Sequence, residues 1–412
     1  VLLANNGFIN DAHSAASSKG MPGIRVIGES VACESTVVSE IEEGVAAAMK
    51  DVIEALTRPL STEEKSPKQQ TGKSPRVAFK GSLQEVNQFY YRKGWSDGLP
   101  IIPPTEEAVA EMLTGTDLPP DHIVANIIPR KGKATIEKIA INAVMAGALP
   151  THMPVLIATV QAFADPKTRF DTFEVSTGSW APSLTINGRI RRDININCSS
   201  GALSPGNIAN SAIGRAVGLI VKNIGGARKA IEDMGVIGNP GKYSLVIGED
   251  EEASPWEPLS VERGFTKEDN TVTVFFPNTF IQTVPGGTDS KGILDTLASM
   301  GTTSMSSVIL IPSWAKVLSS EGYTKQDVKE YIAEHRKVVE IPGFPNTNPA
   351  KMDTENLMIL VAGGPGSFIG LLKSVGPGFF ENALVTKKIE LPKNWDKLVA
   401  KYKNLKPIYE RY

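Results

Sequence analysis

The chain carries two cysteines, and both stand in contexts where a thiol could react. Cys33-Glu34-Ser35-Thr36 falls between a short strand and a long helix, the place where an α/β sheet presents residues at its carboxyl edge. A helix N-terminus there favours the thiolate, which makes Cys33 a candidate nucleophile or acid with Glu34 as its base. The competing reading is that Ser35 or Thr36 merely caps the helix. Cys198 opens the richest stretch, NINCSSGALSPGNIANSAIGR from Asn195 to Arg215. Its small residues feed a helix, so exposed backbone N–H groups could receive a carboxylate, a phosphate or a developing oxyanion. On this reading Cys198 is a nucleophile or acid, Ser199, Ser200, Asn207 and Asn210 bind substrate, and Arg215 clamps an anion. The alternative is a tight packing loop with an inert, buried cysteine.

Three further segments compete for function. In LMILVAGGPGSFIG, Leu357 to Gly370, a buried strand runs into Gly363, Gly364, Gly366 and Ser367, the strand-to-loop geometry at which open α/β sheets hold ligands. It matches neither the dinucleotide fingerprint nor the lysine-bearing phosphate loop, so it reads as a generic substrate loop or a plain turn. In GEDEEASPWEPLSVERGF, Gly248 to Phe265, four acidic residues follow a strand end, with Glu252 a candidate general base. A divalent-cation site and a solvated surface are the other readings of that run. Arg130 and Lys131, just ahead of a helix, read as an anion grip or an exposed basic turn. His13, His122, His152 and His335 lack metal-ligand spacing, and no metal or cofactor is assigned.

The elements that must position these groups read as an α/β protein. A terminal strand at Val1–Ala4, a helix over 11–20, a strand over 24–27 and an amphipathic helix over 37–56 form part of a doubly wound layer, residues 1–60. Residues 61–80 are polar, aperiodic and proline-bearing, and read as a linker or arm. Residues 81–412 read as a larger α/β or α+β domain, with a possible division into two subdomains near 286. Helices are expected over 82–93, 135–148, 154–164, 291–300 and 325–337, and strands over 183–186, 243–247, 271–276, 307–311 and 357–362. No internal sequence repeat is visible.

Composition narrows the class. Hydrophobic residues make up 41% and charged residues 21% of the 412, ordinary for a soluble globular protein. A net charge of −2 gives no support for nucleic acid or an anionic membrane as partner. No apolar run spans a bilayer and nothing resembles a secretory leader, so the expectation is a cytoplasmic, oligomeric protein with a small-molecule substrate. The start at Val1 is apolar strand without upstream partners. It reads either as a trimmed or processed terminus, or as one half of a split protein whose N-terminal partner polypeptide docks on residues 1–59.

Four phrases, GWSDGLPIIPPTEEAVAEML (94–113), KATIEKIAINAVMAGALPTHMPV (133–155), NPGKYSLVIGEDEEASPWEPLSVERGF (239–265) and the AGGPG loop, resemble the large bacterial proteins associated with the UGSC-type (seleno)protein family. Residues 11–67 resemble the C-terminal half of the UGSC-like domain. The resemblance implies thiol or selenol redox chemistry at a (seleno)cysteine-Gly-Ser-Cys motif between a strand and a helix. At the corresponding place this chain has Asn5-Asn6-Gly7-Phe8, so a redox mechanism needs Cys33, Cys198 or a partner chain to provide the sulfur. The resulting expectation is an enzyme of small polar or anionic metabolites, performing lyase-type or thiol/redox-linked bond cleavage. A cysteine- or water-dependent hydrolase and a non-catalytic substrate-binding subunit of a split redox enzyme are the alternatives.

Overall fold

A computed structural model describes residues 1–33, 35–67, 75–302, 305–336, 352–374 and 384–407. At the N-terminus, β1 (Leu2–Asn5) and β2 (Val26–Glu29) pair in parallel across the crossover helix α1 (Ile9–Ser18), and α2 (Val38–Thr57) lies on β2. α2 approaches through its small residues. Gly44, Ala48 and Ala55 are buried, and a Cβ on Gly44 would come within 2.4 Å of Val31. Its larger apolar residues Val38, Ile41, Val45, Met49, Ile53 and Leu56 remain 37–66% exposed. The start of the expected linker belongs to this unit: in α3 (Thr62–Lys65), capped reciprocally by Ser61 and Glu64, Glu64 accepts from Arg25 Nε at 2.7 Å.

The next elements are α4 (Leu83–Arg92) and α5 (Glu106–Leu113), the antiparallel hairpin β3 (Ile123–Ile127) and β4 (Gly132–Thr135), then α6 (Ile136–Ala146), α7 (Met153–Ala164) and α8 (Phe170–Phe173). Ser82, Thr105 and Thr135 cap α4, α5 and α6 through their hydroxyls. α7 is apolar on nearly every side and packs on strands of the first large sheet described below.

The rest of the chain builds two four-stranded sheets from two runs of the same layout. The first run is β5 (Ser183–Asn187), α9 (Ile190–Asp193), α10 (Ile208–Ile220), β6 (Val246–Gly248), α11 (Leu259–Glu262), β7 (Thr271–Phe275) and β8 (Thr279–Thr283). After α12 (Ser290–Ser299), the second is β9 (Ser306–Leu310), α13 (Pro312–Ser320), α14 (Lys325–His335), β10 (Leu357–Val361), β11 (Ile369–Lys373) and β12 (Val385–Lys388), followed by α15 (Trp395–Tyr402). One sheet has the order β12-β7-β5-β6 and the other β8-β11-β9-β10. Pairing matches strand for strand: β5 with β6 and β9 with β10 are parallel, and all other neighbours are antiparallel. Each run therefore lends its fourth strand to the other run's sheet. Position 286 falls between β8 and α12, but strands from both sides of it share both sheets, so the two sides are interleaved rather than separate subdomains.

Alternation along the strands sets the layers. Leu184, Ile186, Val272 and Val274 turn to one core with α6, α7 and α10, while Val308, Leu310, Ile359 and Leu371 turn to another with α12, α13 and α14. The opposite faces meet: Ile247 and Phe275 of the first sheet share a cluster with Ile309, Met358, Leu360 and Leu372 of the second. Strands buried on both faces explain the unbroken apolar run of β10. The class is α/β or α+β, with mixed sheets.

Candidate functional site

The loop between α9 and α10 is shaped by its asparagines. Asn210, on the first turn of α10 and 4% exposed, accepts from Asn197 N at 2.8 Å and donates to Val246 O at 3.0 Å. Asn197 in turn accepts from Ser199 N at 3.0 Å and donates to Ser200 O at 2.9 Å. Asn210 is thus a staple of the loop, and Asn207 reaches only Asn195 O at 3.5 Å.

This loop meets the one that follows β10. Gly363 N donates to Cys198 O at 2.9 Å, and a Cβ on Gly364 would sit 1.9 Å from Ser200 Oγ, so only glycine allows the approach. Gly363 has φ 108°, a conformation open to glycine. Trp314 on α13 anchors the far end through Nε1 to Ser367 O at 3.2 Å. Between the loops lies a cavity of about 420 Å³ walled by the inward faces of both sheets, through Ile247, Phe280, Gln282 and Ile309. Ser200, Ser204, Gly363, Gly364, Gly366 and Ser367 line its mouth, and among the described residues no charged side chain lines it.

Cys198 belongs to this loop, but its thiol does not line the cavity. Burial, then the charge of Asp250, pushes the thiol pKa up against the opposing charge and hydrogen bond of Arg191, so the group is protonated at neutral pH. Cys33 is exposed in the turn after β2 and takes no part in the cavity; Glu34 lies outside the described residues.

The expected anion clamps are engaged elsewhere. Arg215 forks onto Asp97 at 2.8 and 3.0 Å and donates to Pro100 O, binding the loop 94–100 to α10. Arg130 pairs with Glu232 at 3.5 Å and donates to Ser14 Oγ at 3.2 Å, fastening α1 to the body of the protein. Lys131 is exposed with φ 55° in the β3–β4 turn. Glu252 is held by Arg191 at 3.1 Å: burial raises its pKa, but that hydrogen bond and charge outweigh burial and leave it lowered, a carboxylate committed to a counter-ion.

A charge network at the carboxyl ends of β5 and β6 was not anticipated. Arg191, 1% exposed, donates to Gly188 O and Glu249 O and pairs with Glu251 and Glu252. Glu249, fully buried, accepts from Asn187 Nδ2 at 2.7 Å, Leu259 N at 2.7 Å and Lys325 Nζ at 3.0 Å. Lys325 also pairs with Glu262 at 2.7 Å; burial lowers its pKa and the two carboxylates more than restore it. The signal was present as Arg191-Arg192 after one strand and Glu249–Glu252 after its parallel neighbour. Among the described residues no group of three or more His, Cys, Asp or Glu could hold a metal ion, and no helix is long and apolar enough to cross a membrane.

Comparison with protein families, with curated proteins and with solved structures found no match to this chain.

Proposed function

We propose that the chain binds a small, partly apolar, neutral or singly anionic metabolite in the cavity between the loops 198–204 and 362–368, and presents it for bond cleavage. The observation that supports this reading is the convergence of two small-residue loops, about 160 positions apart, on a cavity lined by hydroxyls, an amide and glycine backbone. Such a lining favours ligands that need few charges neutralised, because a dicharged ligand there would lose hydration without a counter-ion.

The cleavage is of the lyase or redox-linked type expected from the resemblance to the UGSC-type family, and its sulfur comes from a partner chain. A protonated Cys198 turned toward Arg191 supports that division of labour. The second reading makes Cys198 itself the proton donor, and requires its thiol, outside the cavity lining, to turn from Arg191 toward Ser200.

The test is retention of small molecules from a metabolite extract after gel filtration, with mass-spectrometric identification. Wild type retains one polar species, and Ser204→Phe, which plugs the mouth, reduces retention about tenfold. Equal retention by Ser204→Phe refutes the cavity as the site. With the retained compound in hand, Cys198→Ser separates the readings: turnover survives if the sulfur is a partner's and is lost if Cys198 is the acid.

A further inference from the structure

The exchange of β8 and β12 relates the two runs of strands by quasi-equivalence, and a cavity on one side implies a counterpart on the other. In the first cavity, the loop after β10 meets the connection between α9 and α10. Interchanging the runs, the loop after β6 should meet the connection between α13 and α14. It does: Lys325 at the start of α14 pairs with Glu249, and Trp256 Nε1 donates to Tyr323 O at 2.9 Å. Between these elements opens a cleft of about 1110 Å³ that shares no lining residue with the first cavity.

Where the described lining of the first cavity is uncharged, this one is lined by charges of both signs, most already paired. Lys325 and Lys329 are neutralised by Glu249 and Glu262, Glu251 and Glu252 by Arg191, and Lys267 by Glu257. Two lining charges have no opposite partner among the described residues, Arg263 and Glu355. The Arg263 guanidinium is held by main-chain oxygens, Nη1 to Glu355 O at 3.3 Å and Nη2 to Leu384 O at 3.2 Å, which fix its plane and carry no charge of their own to neutralise it. Trp256, half-buried against the core, supplies an apolar wall.

We propose that this cleft is a second ligand site, for an amino carboxylate: Arg263 receives the carboxylate through its remaining N–H groups, Glu355 the ammonium, and Trp256 the hydrocarbon part. A planar guanidinium matches a carboxylate, and an exposed carboxylate matches an ammonium, so the cleft selects molecules carrying both ends.

The experiment is calorimetric titration of the full chain with L-alanine, L-leucine, L-glutamate and γ-aminobutyrate, and with propionate and ethylamine as half-ligands. At least one amino carboxylate binds saturably, and each half-ligand binds about tenfold or more weakly. Arg263→Gln weakens the amino carboxylate about tenfold or more, and Glu355→Gln does so without weakening propionate. Ser204→Phe, in the first cavity, leaves this affinity unchanged, so either site can fail alone. If Arg263→Gln does not fold, Glu355→Gln alone decides. Saturable binding of none of the four amino carboxylates, or binding unaltered in the folded variants, overturns the proposal.

Discussion

Cys198 and Cys33 are chemically unlike because their surroundings are. Burial, and then the charge of Asp250, holds the proton on half-buried Cys198, while Cys33 stands in an exposed turn. Iodoacetamide at pH 7.5 should therefore alkylate Cys33 first, with Cys198 slower by about tenfold or more, read by peptide mass spectrometry. Faster labelling of Cys198 would show an activated thiolate there. Glu174, 7% exposed at the end of α8, has its pKa pushed up to about 8, by burial first and by Asp233, against the charge of Lys242. A carboxyl raised in the folded state binds its proton more tightly there than in the unfolded chain. Its contribution is favourable below the unfolded value and is lost as pH rises toward 8. Glu174→Gln should raise the melting temperature at pH 8 relative to wild type and leave it nearly unchanged at pH 4.5. A lower melting temperature at pH 8 would mean that Glu174 is ionised and paired.

At the scale of elements, the buried chain from Arg191 through Glu249 to Lys325 and Glu262 ties the edge of β6 to α14. Lys325→Met leaves Glu249 buried with a reduced counter-charge, and should cost roughly 3–5 kcal/mol in urea unfolding. Adding Glu249→Gln should return much of that loss, since the unpaired charge is then gone. No recovery in the double variant would mean that packing of the Lys325 stem carries the effect. Which elements exist was largely legible from periodicity and caps: α2, α6, α7, α14 and β10 stand within two or three residues of their expected spans. β3, β4, β8, β11 and β12 were not legible: GKAT in β4, TFIQT in β8 and VTKK in β12 are partly exposed and too polar to form the apolar run that marks the equally short β9 and β10. Of the site, the two glycine-bearing loops could be read as loops. That they touch could not, since the Ser200–Gly364 contact is set by which strands pair. Arg215 and Arg130 were legible as cations, but whether a cation faces a ligand or an internal carboxylate is decided by tertiary contacts.

The whole molecule is organised by exchange. Neither large sheet can be completed from one run of strands, because β8 and β12 each close the sheet of the other run. Both sheets should therefore lose hydrogen-exchange protection in one step in a urea titration, β5–β7 together with β9–β11. Loss of one sheet while the other keeps its protection would contradict that interdependence. No repeat shows in the sequence because the two runs need only like patterns of burial, and SLTIN in β5 and SSVIL in β9 meet that need with different residues. The pairing of the runs is also what brings the loop at Cys198 to the loop at Gly363, the junction proposed to hold a ligand. Its most direct test is a crystal structure of the protein carrying the small molecule it retains. Density for that molecule is expected in contact, within about 4 Å, with both Ser200 and Gly364. Density for it elsewhere, with the cavity between those residues holding only solvent, would mean that the junction is not the binding site.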